Sequence, residues 1–246
     1  MKFANMIRIL IAALLVALTF VIPTALLAQN NADYELTFEA RWVPPAPVPG
    51  SAHFTQLIGA THNSDGSLYT VGEQASQGVE DVAEEGATDN LVSEINAGIS
   101  AGTIESAIFG TDAFIDPTEV DTFSFSASAS HSRFSILTMI APSSDWFVGV
   151  NDLDLIDADG NWRNSIVLDL VSYDAGTENG SGFSLSNLPT NPRGVITELD
   201  TAEPTGGLFG AGSIARLTLT RTVPEPGSTS ILFAIGLLGL ARRQKR

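Results

Sequence analysis

Residues 139–180 read MIAPSSDWFVGVNDLDLIDADGNWRNSIVLDLVSYDAGTENG, two apolar runs separated by a short polar stretch. The first run covers residues 146–156 and the second residues 165–173, with Asp159-Gly160 between them. Asp-Gly flanked by such runs is a strong hairpin signal, because both central residues of a type I′ turn need positive φ. The stretch therefore predicts an antiparallel ribbon, and with it a β fold. Centring the turn on Asp159 and Gly160 sets Asp145 opposite Asp174 at the open end. Glu178 follows in a Gly-bearing loop able to fold back over the pair.

Like charges facing each other across paired strands repel. No lysine lies nearby, and the closest cations in the sequence are Arg133 and Arg163. A hard divalent cation that takes oxygen ligands, calcium above all, resolves the conflict. The competing reading is a set of solvated loop acids at the end of a sheet. A β-bulge in either strand shifts the pairing by one residue.

The flanking sequence carries further strand patterns. Tyr34, Leu36, Phe38, Ala40 and Trp42 alternate with Glu35, Thr37, Glu39 and Arg41, the pattern of a half-buried strand. Pro44, Pro45, Pro47 and Pro49 end it, since proline donates nothing to a ladder. Residues 73–100 turn to Ala, Glu and Val at helical spacing, with Thr88 as N-cap for a helix bearing Leu91, Val92, Ile95 and Ile99 on one side. Glu80, Asp81, Glu84 and Glu85 read as its solvated face. Strand patterns resume at residues 122–127, 134–140 and 213–222, where Ala215, Leu217 and Leu219 alternate with polar residues. Many short strands, Gly/Pro/Asn turns and few helices predict an all-β fold with minor α, an antiparallel β-sandwich, over residues 29–222.

Both ends read as processing signals. Residues 1–28 have a basic start, a long apolar run and small Ala28 before Gln29, as in a secretory signal peptide cleaved after Ala28; a retained N-terminal anchor is the alternative. At the other end, Pro224-Glu225-Pro226 precedes an apolar segment at residues 231–241 and a terminus rich in arginine and lysine. That segment is short for a bilayer span, and its basic end stays cytoplasmic by the positive-inside rule. The arrangement closely resembles the PEP-CTERM sorting signal of Gram-negative bacteria. The resemblance implies recognition by a membrane exosortase and transient anchoring in the inner membrane; an ordinary tail anchor is the competing reading.

Charge and composition exclude several functions. Residues 29–222 hold 27 acids against six arginines, a net charge of −21. Such a surface repels nucleic acid and attracts divalent cations. The chain has no cysteine, which rules out disulfides, zinc–thiolate sites and thiol nucleophiles. Asp157-Ala-Asp159-Gly160 hints at an EF-hand, but aligning its glycine puts Leu155 and Ile166 where carboxylates belong. His53, His62 and His131 have no zincin spacing, and no nucleophile elbow occurs. Asn179-Gly180-Ser181 fits a glycosylation sequon, which is uninformative beside a bacterial-type tail.

Several segments appear in the order found in spondin N-terminal domains. They are His53-Phe54, residues 57–63, Gly72-Glu73, Ala83-Glu84-Glu85-Gly86, residues 138–143, Asp145-Trp146-Phe147-Val148-Gly149-Val150 and Tyr173-Asp174-Ala175-Gly176-Thr177. The chain resembles that family over roughly residues 33–222. The resemblance implies a C2-like sandwich, a bound calcium ion, and adhesion or matrix roles in animal members. The family's calcium-binding acids match Asp145 and Asp174, and its third falls on Glu178, where the family usually has Asp. Animal members also carry cysteines and further modules that this chain lacks.

These readings lead to an expected function. The expectation is an exported, non-enzymatic, calcium-binding module for adhesion or extracellular matrix assembly, placed in the cell envelope or matrix of a Gram-negative bacterium. Its partners are the exosortase and an extracellular polysaccharide or surface protein. A secreted hydrolase acting on polysaccharide and a passive structural protein are the alternatives.

Overall fold

The first strand shows how this chain builds sheets. β1 (Asn31–Ala40) buries Ala32, Tyr34, Leu36, Phe38 and Ala40 and turns the residues between them outward, as period-two patterning dictates. The computed structural model describes residues 30–44, 48–185, 187–199, 209 and 213–222. The expected signal peptide, residues 1–28, and sorting tail, residues 223–246, lie outside the described residues. Among the described residues no helix is long and apolar enough to cross a membrane.

After β1 come β2 (His53–Thr55) and β3 (Ile58–His62), then helices α1 (Gln77–Glu85) and α2 (Asp89–Ala101). β4 (Ile104–Phe109), β5 (Phe114–Ile115), β6 (Val120–Ser128), β7 (Arg133–Ala141) and β8 (Trp146–Asp154) follow. The remaining strands are β9 (Ser165–Asp169), β10 (Val171–Asp174), β11 (Glu178–Asn179), β12 (Leu188–Pro189), β13 (Thr197–Glu198) and β14 (Ala215–Thr222). One sheet runs β6-β1-β14-β9, and a larger one runs β13-β10-β8-β7-β2-β5 with β3 and β4 joined to β7. Every described pairing between these strands is antiparallel. The sandwich expected from sequence is the fold.

Two apolar layers hold it together. Leu36, Phe38, Phe54, Phe134, Trp146, Leu217 and Leu219 belong to one core cluster, which draws on both sheets. Ile58, Val79, Val82, Leu91, Ile95, Leu137 and Phe147 belong to a second, where α1 and α2 cover the larger sheet. β7 and β8 sit between the two layers. Trp146 and Val148 join the first cluster and Phe147 the second, so β8 opens with four buried residues rather than alternating. Each such large side chain contributes about 1.5–3 kcal/mol on full burial.

α1 is capped by Ser76, whose hydroxyl accepts from the Val79 amide at 3.2 Å, and ends at Gly86 with φ +68°. In α2, Leu91 and Ile95 are buried as expected while Ile99 is 39% exposed. Thr88 occupies the N-cap position but makes no side-chain cap hydrogen bond, so packing rather than capping holds that helix end.

The central ribbon departs from expectation in two ways. Its turn is a three-residue loop with one left-handed residue. Gly160, at φ +80°, donates to the Asp157 carbonyl at 3.0 Å, while Asp159 keeps negative φ. The Asp157 carboxylate accepts from the amides of Asp159 and Asn161, which fixes this form of the turn. The second apolar run also breaks at Leu170. β9 pairs with β14 in the smaller sheet, and β10 crosses to pair with β8 in the larger one. The register at the open end consequently sets Asp174 opposite Trp146, one residue away from the expected Asp145.

Candidate functional site

The acidic end is built on Asp145, in the short connection between β7 and β8. Its side chain is fully buried. Oδ2 accepts from the Thr177 amide at 2.7 Å, the Glu178 amide at 2.9 Å and the Thr177 hydroxyl at 3.2 Å. Oδ1 accepts, among the described residues, only from the neighbouring Ser144 hydroxyl, at 2.8 Å. The Asp145 carbonyl also accepts from the Ala175 amide at 3.0 Å. One residue thus pins the whole 174–178 turn through charge-assisted bonds, the stronger kind.

Asp174 closes β10 beside it. Oδ1 accepts from the Gly176 amide at 2.7 Å and Oδ2 from the Trp146 indole at 3.2 Å. Burial, then the charge of Asp145, pushes its carboxyl up to about 6, against the pull of those two donors. Glu178 opens β11 opposite Pro189. Its carboxyl is raised by burial and by the charges of Asp145 and Glu85, while a hydrogen bond from Asn187 lowers it.

A fourth acid joins them from α1. Glu84 is raised chiefly by burial and further by the charges of Glu178, Glu80 and Asp145, with a Thr177 hydrogen bond opposing. The sequence places Glu84 on a solvated helix face. The helix instead presents it to the turn that Asp145 anchors, and only the tertiary packing of α1 reveals this.

Among the described residues no arginine forms an ion pair with Asp145, Asp174, Glu178 or Glu84. The ion pairs among the described residues lie elsewhere: Arg133 holds Asp152, Arg193 holds Glu80, and Arg41 and Arg216 hold Glu39 and Asp169. Asp174 and Glu178 thus flank the turn that Asp145 anchors from the β7–β8 connection, without the direct cross-strand pairing of Asp145 and Asp174. Among the described residues no three His, Cys, Asp or Glu side chains are gathered closely enough to hold a metal ion as they stand. The donor chemistry nonetheless fits a hard cation: oxygen ligands, partly desolvated, with one Asp145 oxygen engaged, among the described residues, by a rotatable hydroxyl alone.

Of the histidines, His53 lines a cleft together with Glu84 and Glu85. His62 is fully buried, with Nδ1 2.8 Å from the Asn63 carbonyl and Nε2 2.7 Å from the Ser135 hydroxyl. Ser135 is also fully buried, so this serine–histidine contact is a core hydrogen bond that substrate cannot reach. His53 bonds the Ser51 carbonyl, and His131 bonds local serines and the Gly102 carbonyl.

Comparison with known proteins places the chain in a family. The chain matches the Spondin_N family over residues 32–207 and the PEP-CTERM protein-sorting motif over residues 222–246. It is 35% identical to Spondin-2 of Homo sapiens over 213 residues, covering 81% of this chain and 64% of that protein. It is also 35% identical to Spondin-2 of Rattus norvegicus, covering 72% of this chain and 55% of the relative. Against Spondin-1 of Gallus gallus the identity is 32%, over 88% of this chain but 26% of the relative. The chain thus spans less than two thirds of the length of the relatives it matches. The tail motif implies export and exosortase-mediated sorting, to the envelope or the extracellular space.

Proposed function

The chain belongs to the Spondin_N family, and from that premise we propose that it is an exported, non-enzymatic module whose acidic end binds calcium and serves adhesion or matrix assembly. Asp145, Asp174 and Glu178 are the ligands in this reading, with Glu84 alongside. One observation carries it: Asp174 is desolvated next to buried Asp145, and no cation among the described residues neutralises either.

Bound calcium supplies the missing positive charge and takes oxygen ligands in flexible number, so the extra methylene of Glu178 relative to Asp is accommodated. Asp145 keeps its contacts to Thr177 and Glu178 and offers its other oxygen once the Ser144 hydroxyl rotates. Asp174 would bind as its carboxylate, the form that dominates above about pH 6. Glu178 and Glu84 sit on separate elements, β11 and α1, so drawing them together orders the 174–180 turn against the helix. That ordered end is the adhesive surface. Because binding favours the folded form, it also stabilises the fold by mass action.

Isothermal titration calorimetry of the purified chain tests the reading. The expected result is uptake of one calcium ion, lost in Asp145→Asn and Asp174→Asn and weakened in Glu178→Gln. Absence of uptake in the parent protein, or uptake that both aspartate variants leave unchanged, removes the site.

A further inference from the structure

A cleft opens on the larger sheet beside the end of α1. In β2, His53 and Thr55 share one face, and Thr55 pairs with Phe114 of β5, the strand that ends the sheet on that side. On its other side β2 pairs with β7, His53 opposite Ala141, which puts Met139 and Ala141 on the same face. A Cβ on Gly86, the residue that ends α1, would collide with Thr55, so the helix end sits directly over this face. Between helix and sheet lies a cleft of about 390 Å³, which Glu84, Glu85 and Leu185 complete. That is within the ordinary size range of binding sites, about 300–1,000 Å³.

Floor and mouth are apolar. Thr55, Met139 and Ala141 are buried, and the Thr55 hydroxyl is already engaged by Thr138 and the Met139 amide. At the mouth, Phe114 is 68% exposed and Leu185 60%. Phe114 meets the His53 ring edge-on at a centroid distance of 5.1 Å, a contact that steadies an otherwise solvated aromatic side chain.

The helical wall is anionic, and its charge chooses the occupant. Glu84 and Glu85 close the last turn of α1, which holds no basic residue, so both carboxylates sit at the negative end of the helix dipole. Neither forms an ion pair among the described residues. His53 Nδ1 lies 2.8 Å from the Ser51 carbonyl and donates to it, so Nε2 of the neutral ring is a further acceptor. Among the described residues no three such side chains are gathered closely enough for a metal ion, which leaves a cation whose donors are spread over several atoms. Successive helix residues point about 100° apart, so the fork of a guanidinium spans the two carboxylates better than a compact ammonium does. A guanidinium also stacks on an exposed aromatic ring such as Phe114, and its methylene stem covers an apolar floor.

We propose that this cleft receives an arginine side chain of a partner protein, its stem on the apolar floor and its guanidinium between Phe114 and the carboxylates of Glu84 and Glu85. The inference rests on the adhesion reading and deepens it by naming a partner class, yet it needs no metal, since His53, Glu85 and Phe114 are not among the proposed calcium ligands. Protein-observed NMR titration of the purified chain tests it, with chelator present and at about 0.15 M salt. The probes are the peptide acetyl-Gly-Leu-Arg-Gly-amide and its analogues with lysine or citrulline in place of arginine. The expected result is a Kd of about 1 mM for the arginine peptide, with shifts at the amides of residues 53–55, 84–86 and 114. The lysine peptide binds about threefold more weakly and the neutral citrulline peptide at least about tenfold more weakly. Glu85→Gln and Phe114→Leu each weaken the arginine peptide by about threefold at an unchanged melting temperature. Glu35→Gln, which removes the same charge from the exposed face of β1, leaves binding unchanged. No shifts at the cleft amides overturn the site. Equal losses in Glu35→Gln and Glu85→Gln overturn it too, because they reduce the effect to general attraction by an acidic surface. Equal binding of the lysine and arginine peptides overturns the assignment to arginine. A calcium failure in calorimetry with peptide binding retained removes only the metal, and the reverse removes only the cleft.

Discussion

Two buried aspartates do the same structural work at different corners, and comparing them isolates what is special about a third. Asp121 is 1% exposed and accepts from the Thr111 hydroxyl and, at 3.0 Å, the Thr111 amide, so it ties down the connection after β4. Asp145 ties down the 174–178 turn in the same manner. Asp174 has donors too, but burial and a charged neighbour outweigh them. Removing its charge should therefore help the metal-free fold. Asp174→Asn is expected to raise the melting temperature in chelator by about 2–5 °C, and to abolish any further rise on adding calcium. Asp121→Asn, as a control, is expected to cost about 1–3 kcal/mol in urea unfolding through weakened loop bonds, with calcium uptake unchanged. Matching behaviour of the two variants would mean that Asp174 is one more loop anchor.

Two glycines separate backbone strain from crowding at the level of the elements. Gly160 has φ +80° with nothing within 4 Å of a built Cβ, so Gly160→Ala meets only the left-handed penalty, about 1 kcal/mol. Gly86 has φ +68° and a Cβ there would lie 2.3 Å from Thr55 Cγ2, so Gly86→Ala adds a collision and should cost about 2–4 kcal/mol. Urea midpoints of the two variants check the order; equal losses would contradict it. The elements also differ in how far their sequences announce them. β1 and β14 have one buried face, so alternation revealed both the strands and their inward residues. β8 opens between two apolar layers and only Leu170 separates β9 from β10, so the sequence could not disclose that the chain changes sheets there. The shared end of Asp145, Asp174 and Glu178 was legible because the error in register was a single residue. Glu84 was not, since helix periodicity says which face is polar but nothing about what packs across it.

Over residues 29–222 the imbalance of 27 acids to six arginines makes the fold self-repelling, and the acidic end concentrates that stress. The pH dependence follows from Asp174. Its folded carboxyl titrates at about 6, above its ordinary range near 4, so the folded state holds that proton more tightly than the unfolded chain. The contribution is fully present below about pH 4 and lost as pH rises through about 6. Metal-free protein should accordingly lose stability across that window from this group. Calcium acts in the opposite sense, because it requires the deprotonated carboxylate. The calcium-induced rise in melting temperature is therefore expected to be small at pH 5 and several degrees larger at pH 7, with the difference absent in Asp174→Asn. Calorimetric melts at those two values, each with calcium and with chelator, measure the coupling directly. A calcium shift that is equal at both values would disconnect the metal from the one carboxylate whose desolvation argues for it.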